Sequence, residues 1–350
     1  MVKKREPKSQ IERTVTIFDV AAMAGTSTST VSNVMKDEGH FSEKTRATVL
    51  AAVEALHYVP NIAAQGLSSR RSNLIGIYGI NLKYLCDWPN MIMWGALNKL
   101  NGTRYSLYVV NNTFPFKLSS DEILLKQARA KFLCGIILVG WNIRAEDVAL
   151  FREMEIPVVL IEQRNPTVHS IEVDHFKSGY LGTQHLVKRG CKRIALVRLG
   201  DSGPSVNDRQ KGYKAALKEG GLSFDENLVL RIPYSAEGAT YEPGYQLGLK
   251  LGKSKSRPDG IFCTASSDAS VGLMNGLRAA GLRVPQDMPV VGWDDMETAR
   301  HSIPLMTVLR QPFEEMGQIA AECVLESQKR EKGEIRRVVL EPKLIIRESA

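Results

Sequence analysis

From Thr16 to Met35 the apolar positions recur at helical spacing in two short blocks. Ile17, Val20, Ala21 and Ala24 fall at i, i+3, i+4 and i+7, which predicts a helix of about two turns with one buried stripe. Thr16 stands before it, so a hydroxyl can cap the first free amides, and Asp19 lies in the positive first turn. Gly25 permits a left-handed backbone and ends that helix. Ser27 caps a second block, Thr28 to Met35, whose buried face is Val31, Val34 and Met35 and whose outward face carries Thr28, Ser29 and Asn33. A third stripe, Val49, Ala52, Val53 and Leu56, runs along a helix from Glu43 to His57 behind the cap Ser42. Three short helices with facing stripes predict a small all-α helix-turn-helix unit with Thr28 to Met35 as its recognition helix. Hydroxyls and an amide at the start of such a helix can meet base edges in a major groove. Thr16, Ser27, Thr28, Ser29, Thr30 and Asn33 are therefore candidate DNA contacts.

Pro60 disfavours helix immediately before itself, and Asn61 can cap the short segment Ile62 to Ser68. With Gly66 inside it, that segment is marginal as a helix in water. A polar linker with Arg70 and Arg71 follows, and beyond Asn73 the texture changes. Short apolar runs now alternate with helical patterns. Strands are predicted at Leu74–Tyr78, Leu107–Val110, Gly135–Val139 and Val158–Ile161, with helices over Met91–Leu100 and Asp121–Phe132. A second series follows, with strands at Ile194–Val197, Gly260–Cys263 and Pro289–Trp293. Its helices lie near 176–188, 210–218, 245–251 and 270–280. The chain closes with an amphipathic helix from Pro312 to Gln328 and a strand from Val338 to Ile346. Continuous apolar strands separated by helices imply parallel sheets covered on both faces, and two series in tandem imply two similar α/β lobes. The expected organisation is a helix-turn-helix DNA-binding domain over 14–60, a hinge and linker over 61–73, and a two-lobed α/β domain over 74–347.

Composition narrows the class without deciding it. The chain has 350 residues, 43% hydrophobic and 24% charged, which are values of an ordinary globular protein with material for more than one domain. Net charge of +8 and a pI of about 9.2 suit a polyanionic partner. Residues 1–73 hold ten Lys/Arg against seven Asp/Glu, so only +3 of that excess lies in the candidate DNA unit. Pattern, more than charge, makes the case for DNA. Cys86, Cys134, Cys191, Cys263 and Cys323 are odd in number and widely spaced, as reduced thiols are, and show neither disulfide-framework nor zinc spacing. The basic segment from Met1 to Arg13 has no apolar stretch of the secretory type, and no run reaches membrane-spanning length. A cytoplasmic, nucleoid-associated protein is expected.

Five stretches carry a family resemblance. Thr16-Ile17-Phe18-Asp19-Val20-Ala21, Ala24-Gly25-Thr26-Ser27, Thr30-Val31-Ser32, Ser42-Glu43-Lys44-Thr45-Arg46 and Tyr58-Val59-Pro60-Asn61 together resemble the lac repressor/galactose repressor family of bacterial transcription regulators. The resemblance implies a hinge helix after Pro60-Asn61 that forms in the DNA minor groove. Asn61, Ala64 and Leu67 then become DNA contacts, with Leu67 at the position whose leucine wedges between base pairs and bends the duplex. It also implies an effector site between two lobes like those of periplasmic binding proteins, and a homodimer on a palindromic operator. One departure stands out: the family usually carries Arg where this chain has Asn33. Asn prefers the paired donor and acceptor of adenine, while a phosphate contact remains open to it.

Ligands of parallel α/β lobes bind beyond the carboxyl ends of the strands. There, Val290-Val291-Gly292-Trp293-Asp294-Asp295 resembles the family motif, with Asp294 at its effector-binding aspartate. Arg209, within Asn207-Asp208-Arg209-Gln210-Lys211-Gly212-Tyr213, matches the family's ligand arginine. An arginine and an aspartate facing one cleft can grip neighbouring hydroxyls through charge-assisted bonds. Trp141, Trp293, Phe313 and Trp88 are candidate apolar platforms, though each equally suits a core, and Asp268 is a further polar candidate. A sugar or sugar derivative is the favoured effector and a nucleobase the second. The rival readings are weaker. A sugar-binding receptor without DNA function leaves residues 14–68 unexplained. An enzyme would need chemistry that the chain does not display: Gly252-Lys253-Ser254 lacks the earlier phosphate-loop glycine, which is Leu247 here, and the six histidines have no metal spacing. No cofactor or metal is expected.

Overall fold

A computed structural model describes residues 15–37, 39–59, 72–79, 88–110, 129–140, 145–200, 203–233, 240–329 and 334–350. Asn61, Ala64 and Leu67 of the expected hinge lie outside these residues, as do Trp141, Cys86 and most of the helix expected from Asp121. The chain forms two compact units, Met1–Arg71 and Ser72–Ala350.

In the first unit, α1 (Ile17–Met23), α2 (Thr28–Lys36) and α3 (Glu43–Ala55) enclose one small core of Val20, Ala21, Val31, Val34, Val49 and Ala52. Each helix start has its own polar fixture. The Thr16 amide and hydroxyl both donate to the Asp19 carboxylate, at 2.8 and 2.7 Å, so the hydroxyl serves this carboxylate in place of the simple amide cap. Ser27 Oγ accepts from the Thr30 amide and Ser42 Oγ from the Thr45 amide, both at 3.1 Å. Gly25 at φ +58° makes the turn between α1 and α2. Arg46 of α3 pairs at 2.7 Å with Asp37, the left-handed residue that closes α2.

The second unit contains two six-stranded sheets. The first has the order β11-β5-β4-β3-β1-β2 and the second β12-β10-β9-β8-β6-β7, so each strand of one has a counterpart in the other. The strands are β1 (Leu74–Tyr78), β2 (Ser106–Val110), β3 (Gly135–Val139), β4 (Val158–Ile161), β5 (His169–Val173) and β11 (Arg337–Leu340) in the first lobe. The second lobe has β6 (Ile194–Leu199), β7 (Val229–Ile232), β8 (Gly260–Cys263), β9 (Val290–Trp293), β10 (Thr307–Arg310) and β12 (Lys343–Ile345). All pairings are parallel except β10 with β12. Alternate strand residues enter different cores: Ile75, Ile77 and Ile137 face one way, Ile136 and Leu138 the other. Ala195 and Val197 likewise part from Ile194 and Leu196. Helices α4 (Trp88–Leu100), α5 (Ala145–Glu153) and α11 (Phe313–Ser327) belong to the first lobe. The second holds α6 (His175–Lys188), α7 (Pro204–Glu219), α8 (Tyr241–Lys253), α9 (Ser267–Ala279) and the short α10 (Glu297–Arg300).

The lobes are not consecutive stretches of chain. The backbone passes between them after Val173, after Arg310 and after Leu340. The single strand expected from Val338 to Ile346 is therefore two, β11 and β12, which complete different sheets. Glu341-Pro342 separates them, and proline has no amide to continue a ladder. Strands β5, β7 and β10 and helices α5 and α10 are not among the expected elements; in β5 and β7 the polar residues His169, Ser170 and Glu172, or Arg231, interrupt the apolar run.

Candidate functional site

The DNA-binding candidates lie on α1 and α2 of the first unit. Thr16 and Ser27 act as N-terminal residues of these helices. The Ser27 hydroxyl lies 2.7 Å from that of Ser29 and 2.9 Å from that of Thr30, so these three oxygens share a local network. Thr28 and Thr30 are half-buried, while Ser29 and Asn33 are exposed. The structure thus presents Ser29 and Asn33 one turn apart on the outer face of α2.

A second polar group lies where the two lobes of the larger unit meet. Arg209, on the second turn of α7, is nearly buried, and its guanidinium lies over the Trp293 ring at 4.5 Å. The helices hold it there by backbone contact: a Cβ on Gly179 of α6 would collide with the Arg209 carbonyl, and one on Gly212 with that of Phe176. Burial pushes Arg209 down to about 10, against the opposing pull of Asp294 and of Glu162. Asp294 follows β9 in a left-handed conformation, φ +58°, and its amide donates to the Leu309 carbonyl at 3.0 Å. A non-glycine residue held there stores strain of about 1–3 kcal/mol, and such strain gathers at functional sites.

Glu162 is the counterpart of Asp294 in the first lobe. It follows β4 at φ +63°, and its amide donates to the Ile171 carbonyl at 2.9 Å. Its carboxylate lies 2.5 Å from His175 Nε2 across the lobe boundary and accepts from the Val173 amide at 3.1 Å. Nearby, Arg164 bonds Glu172 at 2.8 Å and reaches Asp208 of α7 at 3.8 Å. Among the described residues, Arg209 Nε, His175 Nδ1 and both amide atoms of Gln311 are buried with no hydrogen-bond partner. Gln311 occupies the crossing between β10 and α11 and is 4% exposed. Orphaned polar atoms are costly when buried, so a cluster of them calls for a polar occupant.

The structure brings Arg209, Trp293 and Asp294 together but distributes the other candidates. Phe313 and Trp88 meet at a tilt, 5.5 Å between centroids, against the first lobe's core. Asp268 is exposed in the first turn of α9, whereas Ser266 and Ser267 take the less exposed positions there. Ser266 caps α9 and lies 2.7 Å from the Thr240 hydroxyl. Glu162, His175 and Gln311 were not foreseen. For Glu162 the signal was present, an acidic residue directly after an apolar strand, as for Asp294. Asp295, adjacent to the site, has a structural post: Arg310 at 2.5 Å, Arg347 at 2.7 Å and Arg300 at 3.4 Å surround its carboxylate. Burial works to raise this carboxyl, but the bonds and charge of Arg347 and Arg310 prevail and hold it below the usual aspartate value. Among the described residues, no group of three or more potential ligands could hold a metal ion, and no helix is long and apolar enough to cross a membrane.

Residues 16–61 match the family described as bacterial regulatory proteins, lacI family, and residues 183–350 match the periplasmic binding protein-like domain. The HTH-type transcriptional regulator RegA of Clostridium saccharobutylicum is 32% identical over 342 residues, covering 95% of this chain and 98% of its own. The lac repressor dimer bound to operator and the anti-inducer ONPF superposes with a TM-score of 0.78 at 26% identity, covering 96% of this chain and 99% of its own. The transcriptional regulator CelR in complex with cellobiose gives a TM-score of 0.67 at 28% identity, covering 96% and 100%.

Proposed function

Because the chain belongs to the lacI family of bacterial regulatory proteins, we propose that it represses transcription as a homodimer on a palindromic operator, under the control of a small metabolite held between its two α/β lobes. It is a DNA-binding transcription regulator and not an enzyme, as its relatives are. Such a regulator works where the chromosome is, in the cytoplasm and at the nucleoid. Recognition helix α2 enters the major groove in each half-site, with Thr28, Ser29 and Asn33 toward the bases and Thr16, Ser27 and Thr30 at the helix starts. The hinge residues Asn61, Ala64 and Leu67 order against the minor groove, where Leu67 wedges a base step.

The observation that carries the effector reading is the buried Arg209 guanidinium, laid on Trp293 beside Asp294, with its Nε unpartnered among the described residues. Arg209 donates, Asp294 accepts, and Gln311 does both, which fits the adjacent hydroxyls of a sugar. The similar CelR is a cellobiose complex, in keeping with a sugar. A nucleobase is the second reading, favoured by the planar Arg209–Trp293 stack. The unfolding midpoint of the full chain, followed against neutral sugars and purine bases, tests this. A true effector raises the midpoint with the logarithm of its concentration, and Arg209→Ala removes the rise. A ligand whose effect survives both Arg209→Ala and Asp294→Ala is bound elsewhere and overturns the assignment.

A further inference from the structure

We infer that Asn33 reads an adenine in each operator half-site, its Nδ2 donating to adenine N7 and its Oδ1 accepting from N6. The inference rests on the operator-binding reading above and adds a base to it. Among the described side chains of α2, Ser29 and Asn33 are the exposed ones, at i and i+4, and define the stripe that points straight away from the core of Val31 and Val34. Their chemistry differs. The Ser29 hydroxyl is engaged with Ser27 Oγ at 2.7 Å, whereas the Asn33 amide makes no hydrogen bond among the described residues. Gly39 of the loop after α2 lies beside the amide, where an added Cβ would touch Nδ2 at 3.6 Å and glycine leaves that space unfilled.

An amide carries one donor edge and one acceptor edge, and only adenine offers the matching pair in the major groove. Guanine presents two acceptors, which leaves Oδ1 facing an oxygen. Thymine presents an acceptor and a methyl group, and cytosine a single donor. A phosphate is all acceptor and wastes Oδ1 in the same way. Position agrees with chemistry: phosphates flank a helix lying in the groove, while the stripe opposite its core faces the base edges. Asn33 is short, but Thr28, Ser29 and Ser32 around it are no longer, so the α2 backbone can come close enough for the amide to reach.

The test is selection of the full chain on random duplexes at low ionic strength, where phosphate contacts support binding, with Asn33→Arg and Asn33→Ala run in parallel. The wild type should select A·T at one symmetric pair, and any other pair there should weaken binding roughly tenfold or more. Asn33→Arg should move that same pair to guanine, and Asn33→Ala should make it degenerate while the other positions hold. If Asn33→Ala keeps every base preference and only weakens binding, Asn33 contacts the backbone and the inference is wrong. If wild type and variants with unchanged unfolding midpoints enrich no sequence at all, operator binding itself fails and takes this inference with it.

Discussion

Arg209 illustrates what a single buried charge can be asked to do. Desolvation weakens its hold on the proton, and its Nε has no acceptor among the described residues. An acceptor oxygen brought there by an effector would form a charge-assisted bond. Replacing Arg209 by Ala should therefore cut effector affinity about ten- to a hundredfold, the worth of one or two hydrogen bonds to a charged group; isothermal titration reads this directly. Asp295 makes the contrasting case, a buried carboxylate ion-paired with three arginines. Its folded value lies below the unfolded value of about 3.9, so its contribution is complete above that pH and lost as pH falls through the folded value. Asp295→Asn should lower stability at neutral pH by about 2 kcal/mol and flatten the acid limb of the stability profile. Asp294 follows an apolar strand, where ligands of parallel lobes bind, but it and Arg209 stand out in the sequence through their resemblance to the family's ligand residues. His175 and Gln311 do not: a missing hydrogen-bond partner is a property of three-dimensional packing, and neither residue type in isolation announces it.

At the scale of elements, the glycines between helices do what the side chains of the site cannot do for themselves. Gly179 and Gly212 let α6 and α7 touch through their backbones, and this crossing fixes where Arg209 begins. Gly179→Ala should cost about 1–3 kcal/mol by overpacking. It should also weaken effector binding, whereas an equally destabilising change at the α4–α11 crossing, Gly95→Ala, should leave effector affinity nearly intact. In the smaller unit Ser27→Ala should remove a helix cap worth about 1 kcal/mol and lower operator affinity without touching the effector midpoint shift. The helices α1 to α3 and the central strands were legible because their apolar periods are undisturbed. The run from Val338 to Ile346 was not, since periodicity identifies extended chain but carries no information about which sheet each half joins.

For the whole molecule the requirement is coupling between a metabolite and an operator. Effector and DNA must each alter the other's affinity by the same factor, because both act on one equilibrium. Leu67→Ser should abolish tight operator binding, seen in a gel-shift titration, while the effector midpoint shift stays within a fraction of a degree. Loss of both together would mean that the hinge is a folding element and not a coupling one. The contacts that span the lobes, Glu162 with His175 and Arg164 with Asp208, sit near the proposed effector group of Arg209 and Asp294.

The three passages between lobes also set a timetable for synthesis. The first lobe's core includes Phe313, Met316 and Val324 of α11, and β11 finishes its sheet. A ribosome adding about 5–20 residues per second therefore leaves that lobe unfinished, with an open sheet edge at β5, for on the order of ten seconds after Val173 is made. Most of the second lobe is made in that interval, and only its edge strand β12 and the last residues follow β11, so the lobe begun first waits longest with its core incomplete and has most need of chaperone cover.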